Sequence, residues 1–260
     1  AATDSSDLSF DLSLHGRNEP PSVLSILNPG VNRVMVEALD ASGQVVETTD
    51  LDVWYDNGTA IFLSGNLSAD TTLVAVDGPY LIDSDLVVPV GVTLTIEPGT
   101  SLLFGQGVSL TVLGRLRAIG TFYEKIQFSV IPGSGDTWDG VIFTNTSEDN
   151  RMVELDQNFS TSASHSVEVD DARLTLDGVR WRGTSETVLE ASRPQMNVIN
   201  CDFPPSSGSE AIHGSNLSGD QYFNLIGNVF QTSSGYNDII DFSGGPRPGP
   251  VISVSNNISE

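Results

Sequence analysis

Four segments decide the fold: Leu176-Asp177-Gly178-Val179-Arg180-Trp181, Val198-Ile199-Asn200-Cys201-Asp202-Phe203, Leu225-Ile226-Gly227-Asn228-Val229-Phe230 and Val254-Ser255-Asn256-Asn257-Ile258-Ser259. Each is a short apolar strand followed by Gly or Asn, and three of the four then place an aromatic ring. The anchors Trp181, Phe203, Phe230 and Ser259 are 22, 27 and 29 residues apart. A nearly fixed period of this size marks a solenoid, in which each unit buries its apolar face only against its neighbours. The last repeat stops one residue before Glu260, with no room for a polar cap. The expectation is therefore a longer protein, or another molecule over that end.

The rest of the chain extends this reading. From about residue 60, short strands such as Thr93–Ile96, Leu110–Val112, Val141–Phe143 and Val167–Val169 alternate with Gly, Pro, Asn or Asp. No stretch carries a period of 3.6, so little helix is expected. The fold class is all-β, a right-handed parallel β-helix over residues 59–260. Three short strands per coil at a rise of about 4.8 Å give about eight coils and a rod roughly 40 Å long. Segments 131–139 and 204–219 read as loops leaving the rod. Residues 1–58 read as a small antiparallel module with a frayed N-terminal arm. Its strands fall at Leu8–Leu14, Val31–Val36, Val45–Val46 and Leu51–Tyr55, separated by Glu19-Pro20-Pro21, Asn28-Pro29-Gly30 and Asp40-Ala41-Ser42-Gly43. Four strands form at most an incomplete immunoglobulin-like sheet.

Composition narrows the partners. Thirty-four acidic residues against 11 basic ones give a net charge of −23, and Lys125 is the one lysine. That field disfavours nucleic acid and anionic membrane, and it repels polyanions unless metal ions intervene. No apolar run reaches the roughly 20 residues of a membrane span. The one cysteine, Cys201, shares the parity of Ile199 and Phe203 and is expected in the core. Sequons at Asn57, Asn66, Asn145, Asn158, Asn216 and Asn257 point to an exported, glycan-bearing surface.

Leu94-Thr95-Ile96-Glu97-Pro98-Gly99-Thr100, then Leu103-Phe104-Gly105 and Leu110-Thr111-Val112-Leu113-Gly114, resembles the opening coils of secreted bacterial right-handed β-helix proteins. Thr137-Trp138-Asp139-Gly140-Val141 looks like their tryptophan-glycine coil. Gly235-Tyr236-Asn237-Asp238-Ile239-Ile240-Asp241-Phe242, with Arg247-Pro248-Gly249-Pro250, resembles the large multidomain members that carry lamin-tail-like modules. Gly30-Val31-Asn32-Arg33 through Val53-Trp54-Tyr55-Asp56 resembles the β module before the helix in such proteins. The Asp-rich coils with which those relatives continue are missing. The resemblance implies an extracellular β-helix and little chemistry.

Candidate chemistry is sparse. A lyase on a uronic-acid polymer needs a base with a cationic partner, and Lys125 with Arg115 and Arg117 is the nearest set. Glu124-Lys125 reads more simply as a charge pair at a corner. A glycosidase needs two spaced carboxylates. Asp170-Asp171 reads as a turn, and Asp238 and Asp241 point to opposite faces of a strand. His15, His165 and His213 show no zinc spacing. No cofactor is expected. Ca²⁺ suits the abundant oxygen ligands, but no loop has the spacing that would place it. Trp181 and Tyr222 read as core or corner rings. Trp138, after a polar loop, and Tyr236 are the candidates for stacking on sugar. The leading expectation is an extracellular structural or adhesive protein without catalysis, polymerising through open ends with Ser9–Leu14 as a donated strand. The alternatives are a polysaccharide lyase or hydrolase, and a carbohydrate-binding module of a larger enzyme.

Overall fold

A computed structural model describes residues 27–160, 165–183, 187–205, 210–231, 238–244 and 249–259. The Leu8–Leu14 arm, His15 and Tyr236 lie outside them. The described chain is a parallel β-solenoid of about seven turns, preceded by an antiparallel hairpin of β1 (Gly30–Leu39) and β2 (Val45–Tyr55).

Three parallel sheets wrap the core. Strands Ile61–Asn66 and Tyr80–Val88 each begin in sheet A and bend into sheet B. Sheet A continues through Ser101–Phe104, Ile126–Ser129, Leu155–Asn158, Arg180–Arg182, Asp202–Phe203, Val229–Phe230 and Ile258–Ser259. Sheet B continues through Ser109–Val112, the first halves of Gly140–Val153 and His165–Asp177, then Thr187–Ser192, Ile212–Ser215 and Ile240–Phe242. Sheet C holds Thr71–Leu73, Thr93–Ile96, Arg115–Ile119, the second halves of the same two long strands, Gln195–Ile199, Tyr222–Ile226 and Val251–Ser255.

The corners explain the repeat. Glu154, Gly178, Asn200, Gly227 and Asn256 all have positive φ, between 46° and 68°, at the turn from sheet C into sheet A. Gly and Asn tolerate this left-handed backbone, which is why they recur there. Asn145, Asp171, Arg193 and Asn216 repeat the conformation at the corner between sheets B and C, with φ of 49–52°. Asp170-Asp171 is thus a corner inside one continuous strand, His165–Asp177, and not a gap between two strands.

Past the first corner the predicted anchors stack. Trp181 lies 4.8 Å from Phe203, and Phe203 lies 4.7 Å from Phe230, centroid to centroid. The column below them runs Tyr80, Leu102, Phe128 and Gln157, and it ends above at Ser259. Its steps are 22, 26, 29, 24, 22, 27 and 29 residues. The solenoid has about seven turns, close to the eight that the coil length implied. Asn228, fully buried, fastens the corner: its amide donates to Val198 O (2.9 Å) and to Asn257 Oδ1 (2.9 Å), and its Oδ1 accepts from Cys201 N (2.9 Å).

Three further expectations change. Val45–Val46 and Leu51–Tyr55 belong to one strand, β2, so the described N-terminal module is a two-stranded hairpin. Asp40 Oδ1 accepts from Ser42 N, Ser42 Oγ and Gln44 N at the hairpin turn, and the turn also sets the chain direction at Gly43 (φ 84°). Segment 204–219 is not simply a loop, because Ile212–Ser215 is a sheet B strand and Leu217 is buried. Trp138 is fully buried, stacked 3.9 Å from Phe104, and its Nε1–H donates to Asn158 O (2.8 Å).

Candidate functional site

A two-stranded hairpin is marginal by itself, and this one leaves Leu39, Val45, Val46 and Leu51 exposed. What holds it is the outer face of sheet A. Val31 N–H donates to Ser101 Oγ (3.0 Å). Gly30, at φ 119°, lies so close that a Cβ there would collide with the Ser101 side chain. Arg33 then reaches across three carboxylates: Asp50 (2.9 Å) and Asp52 (3.2 Å) on the hairpin, and Asp156 (3.1 Å) on the solenoid. Asp156 is 1% exposed and also receives two hydrogen bonds from Arg180, both 3.1 Å, and one from Gln127 (3.3 Å). Arg182 Nη1 donates to Asp52 (3.4 Å). Burial pushes the Asp156 carboxyl above the ordinary aspartate value, against the opposing pull of Arg33 and Lys125.

Beside this joint lies an open groove of about 430 Å³ between β1 and the corner 121–125, lined by Val31, Arg33, Met35, Phe122, Tyr123 and Lys125 among others. Phe122 and Tyr123 form an edge-to-face pair on its rim, with centroids 5.1 Å apart, and they are 55% and 74% exposed. Exposed paired rings over a mixed groove suit stacking on a ligand. Lys125 is fixed behind it, with Nζ 2.5 Å from Glu154 Oε2 and 3.2 Å from Gly178 O. Its side chain is 13% exposed. The lyase arrangement required it free in an exposed groove, and here it is a structural cation. Arg115 and Arg117 lie on sheet C, not beside it.

The remaining candidates scatter. Trp138 presents no ring to solvent, and Tyr236 lies outside the described residues. Tyr222 points outward from sheet C, because its neighbour Phe223 takes the core position. Trp181 is a core ring, its Nε1–H donating to Gln157 (3.1 Å). Cys201 is buried and its thiol is pushed up to about 12 by desolvation, so it stays protonated. Asp170 is paired with Arg193 (2.6 Å). Asn57, Asn66, Asn145 and Asn216 are exposed, Asn257 is half-buried in the corner ladder, and Asn158 is buried. No group of three or more His, Cys, Asp or Glu side chains is arranged to hold a metal ion among the described residues.

Two constellations escaped the sequence reading. Phe122-Tyr123 was legible as an aromatic pair before Glu124-Lys125, but nothing local marks it as a groove rim. Glu190, His213 and Asp241 stand in register on successive coils of sheet B, with His213 Nδ1 2.8 Å from Glu190 and Nε2 3.8 Å from Asp241. Their spacings of 23 and 28 residues equal the coil period. That period was the signal that could have found them.

No protein-family model matches the chain, and no solved structure matches it. Protein bark beetle of Drosophila melanogaster is similar to part of it, 37% identical over 106 residues, or 41% of this chain. The match covers 3% of the fly protein, so the chain spans a small fraction of that relative's length. A likeness of this extent places the chain in no family.

Proposed function

We propose that the protein is an extracellular structural and adhesive β-solenoid of the kind found in large secreted bacterial proteins, and that it binds without catalysing. The observation that carries this reading is the hairpin groove. Its cations, Arg33 and Lys125, are committed to fixed acid partners, while its rim offers Phe122 and Tyr123 to a ligand. With Glu37 and Glu124 on its lining, the groove favours an uncharged glycan. The sequons and the resemblance of Leu94–Thr100 support the extracellular setting.

The test is binding of neutral oligosaccharides to the wild type and to the Phe122→Ala/Tyr123→Ala variant. The expected result is binding by the wild type, a loss of at least about tenfold in the variant, equivalent to ~1.4 kcal/mol, and no release of shorter sugars. Equal binding by both proteins, or cleavage of the sugar, defeats the reading.

End-to-end assembly is the second element of the proposal. The last described coil exposes Val251, Ile252, Val254 and Ile258, and a further coil, of the same chain or of a second copy, would cover them. A heterologous contact of that kind propagates into a filament. Light scattering that gives a monomer at every concentration removes this element and leaves adhesion standing.

A hydrolytic reading has one observation in its favour, the Glu190–His213–Asp241 column. Its two carboxylates are two coils apart, roughly 9–10 Å from the strand spacing, close to the separation used by inverting glycosidases. Loss of a measured hydrolysis in Glu190→Gln would promote it.

A further inference from the structure

In a chain of net charge −23 with 11 basic residues, four arginines gather on the outer face of sheet C. Arg115 and Arg117 project from Arg115–Ile119, Arg151 follows on the next coil and Arg173 on the one after. Register confirms the columns: Thr95, Arg117, Arg151 and Thr175 succeed one another, and Thr93 pairs with Arg115 as Arg173 pairs with Gln195. The acids set among them are Glu148, Asp149 and Asp177. Asp149 is carried out by a register break between Thr146 and Asn150 and contacts Arg151 (2.9 Å) and Arg115 (3.8 Å). Four arginines against three acids leave about +1 on this strip, and Asp171 and Asp220 border it beside Arg173 and Arg193. Arg117 and Arg173 are exposed, and neither has an ion pair within 4 Å among the described residues.

The strip continues in neutral donors. Asn224 Nδ2 donates to Asn197 Oδ1 (2.9 Å), and Asn197 Nδ2 reaches Thr175 Oγ1 (3.5 Å). Gln195, Tyr222 and Ser253 extend the two columns over the following coils. The face is a parallel sheet, with coils about 4.8 Å apart. We propose that the outer face of sheet C binds a linear anionic polysaccharide along the solenoid axis. Arg115, Arg117, Arg151 and Arg173 take its carboxylate or sulfate groups, and the Thr, Asn and Gln side chains take its hydroxyls. Arginine suits this role because its planar fork pairs with such anions through two hydrogen bonds. A polyhydroxylated polymer uses the whole strip. Single-stranded nucleic acid would need several stacking rings beside the cations, and Tyr222 is the one aromatic on these two columns. This site is separate from the hairpin groove and stands or falls without it.

The experiment measures binding of polygalacturonate and of heparin to the whole chain by calorimetry. Dextran, poly-glutamate and oligo-dT are the comparison polymers, and salt is varied. The variants are Arg117→Gln/Arg173→Gln and, separately, Asn197→Ala. All are exposed or half-exposed, and far-UV circular dichroism checks the fold. The expected result is binding of at least one acidic glycan, weakened by salt. The arginine variant should weaken it by tenfold or more, and Asn197→Ala by a smaller factor. A preference for polygalacturonate assigns carboxylate as the anion, and a preference for heparin assigns sulfate. The proposal is overturned if neither glycan binds, if the arginine variant binds them unchanged, or if poly-glutamate or oligo-dT binds as tightly with the same arginine dependence.

Discussion

Asp149 and Asp156 show how one residue type is driven in opposite directions. Asp149 sits at the surface with Arg151 hydrogen-bonded to it, and its carboxyl is held below the ordinary aspartate value of 3.8. Asp156 is enclosed between the hairpin and sheet A, and desolvation raises it. Linkage fixes the signs. A lowered carboxyl contributes stability above 3.8 that is lost as pH falls through its folded value. A raised one contributes most below 3.8, and that contribution fades as pH rises through its folded value. The stability difference between wild type and Asp149→Asn should therefore grow in the wild type's favour from about pH 3 to pH 6. The difference between wild type and Asp156→Asn should move the other way. Urea unfolding at several pH values reads both, and parallel slopes would refute the assignment. Neither direction was legible in the sequence. The burial of Asp156 depends on a hairpin more than 100 residues away, and Asp149 is lowered chiefly by Arg151, two residues on, which meets it only because the register breaks between Thr146 and Asn150. Trp138 failed for the same reason, since a ring after a polar loop looks exposed until Phe104 is found 3.9 Å beneath it.

The hairpin and the solenoid are stabilised by different means. The solenoid strands alternate buried and outward residues around a continuous core, as in Gln195–Ile199 and Tyr222–Ile226. The hairpin has no such core and relies on Arg33, Asp156 and Arg180. Removing one member of a buried ion network leaves the others desolvated and unpaired, at a cost of about 3–5 kcal/mol. Asp156→Ala should thus release β1 and β2 while the sheets persist. Limited proteolysis should cut near the Asp40–Gly43 turn in the variant well before the wild type, and circular dichroism should keep its strand signal. Simultaneous loss of both signals would mean that the hairpin and solenoid form one cooperative unit. The elements themselves were largely legible. The Gly and Asn positions at 178, 200, 227 and 256 announced the left-handed corners, and the aromatic anchors announced the stack. The strand breaks were not, because a corner residue such as Asp171 bends the backbone without ending the ladder.

At the scale of the molecule, contacts run almost entirely between one coil and the next. The register of sheet C passes from Arg173 to Gln195 to Tyr222 to Val251 with no strand skipped. Stability in such an array is a sum of coil terms and nearest-neighbour interfaces, so damage should stay local. Phe203→Ala tests this, because the ring is fully buried between Trp181 and Phe230. The cavity should cost about 3–5 kcal/mol, a large share of a typical domain's stability. Hydrogen exchange should show where that cost falls. Amides of the coils on both sides, from Arg180–Arg182 to Val229–Phe230, should lose protection, while Leu94, Leu110 and Phe128 in the early coils keep theirs. The sequence implied this behaviour as soon as the period was seen, since a repeat that stacks can only pass strain to its neighbours. Uniform loss of protection from Leu94 to Leu225 would instead show that the seven turns unfold as one body. The outer faces would then be rigid over their whole length, and a polymer bound along sheet C would stabilise every coil equally.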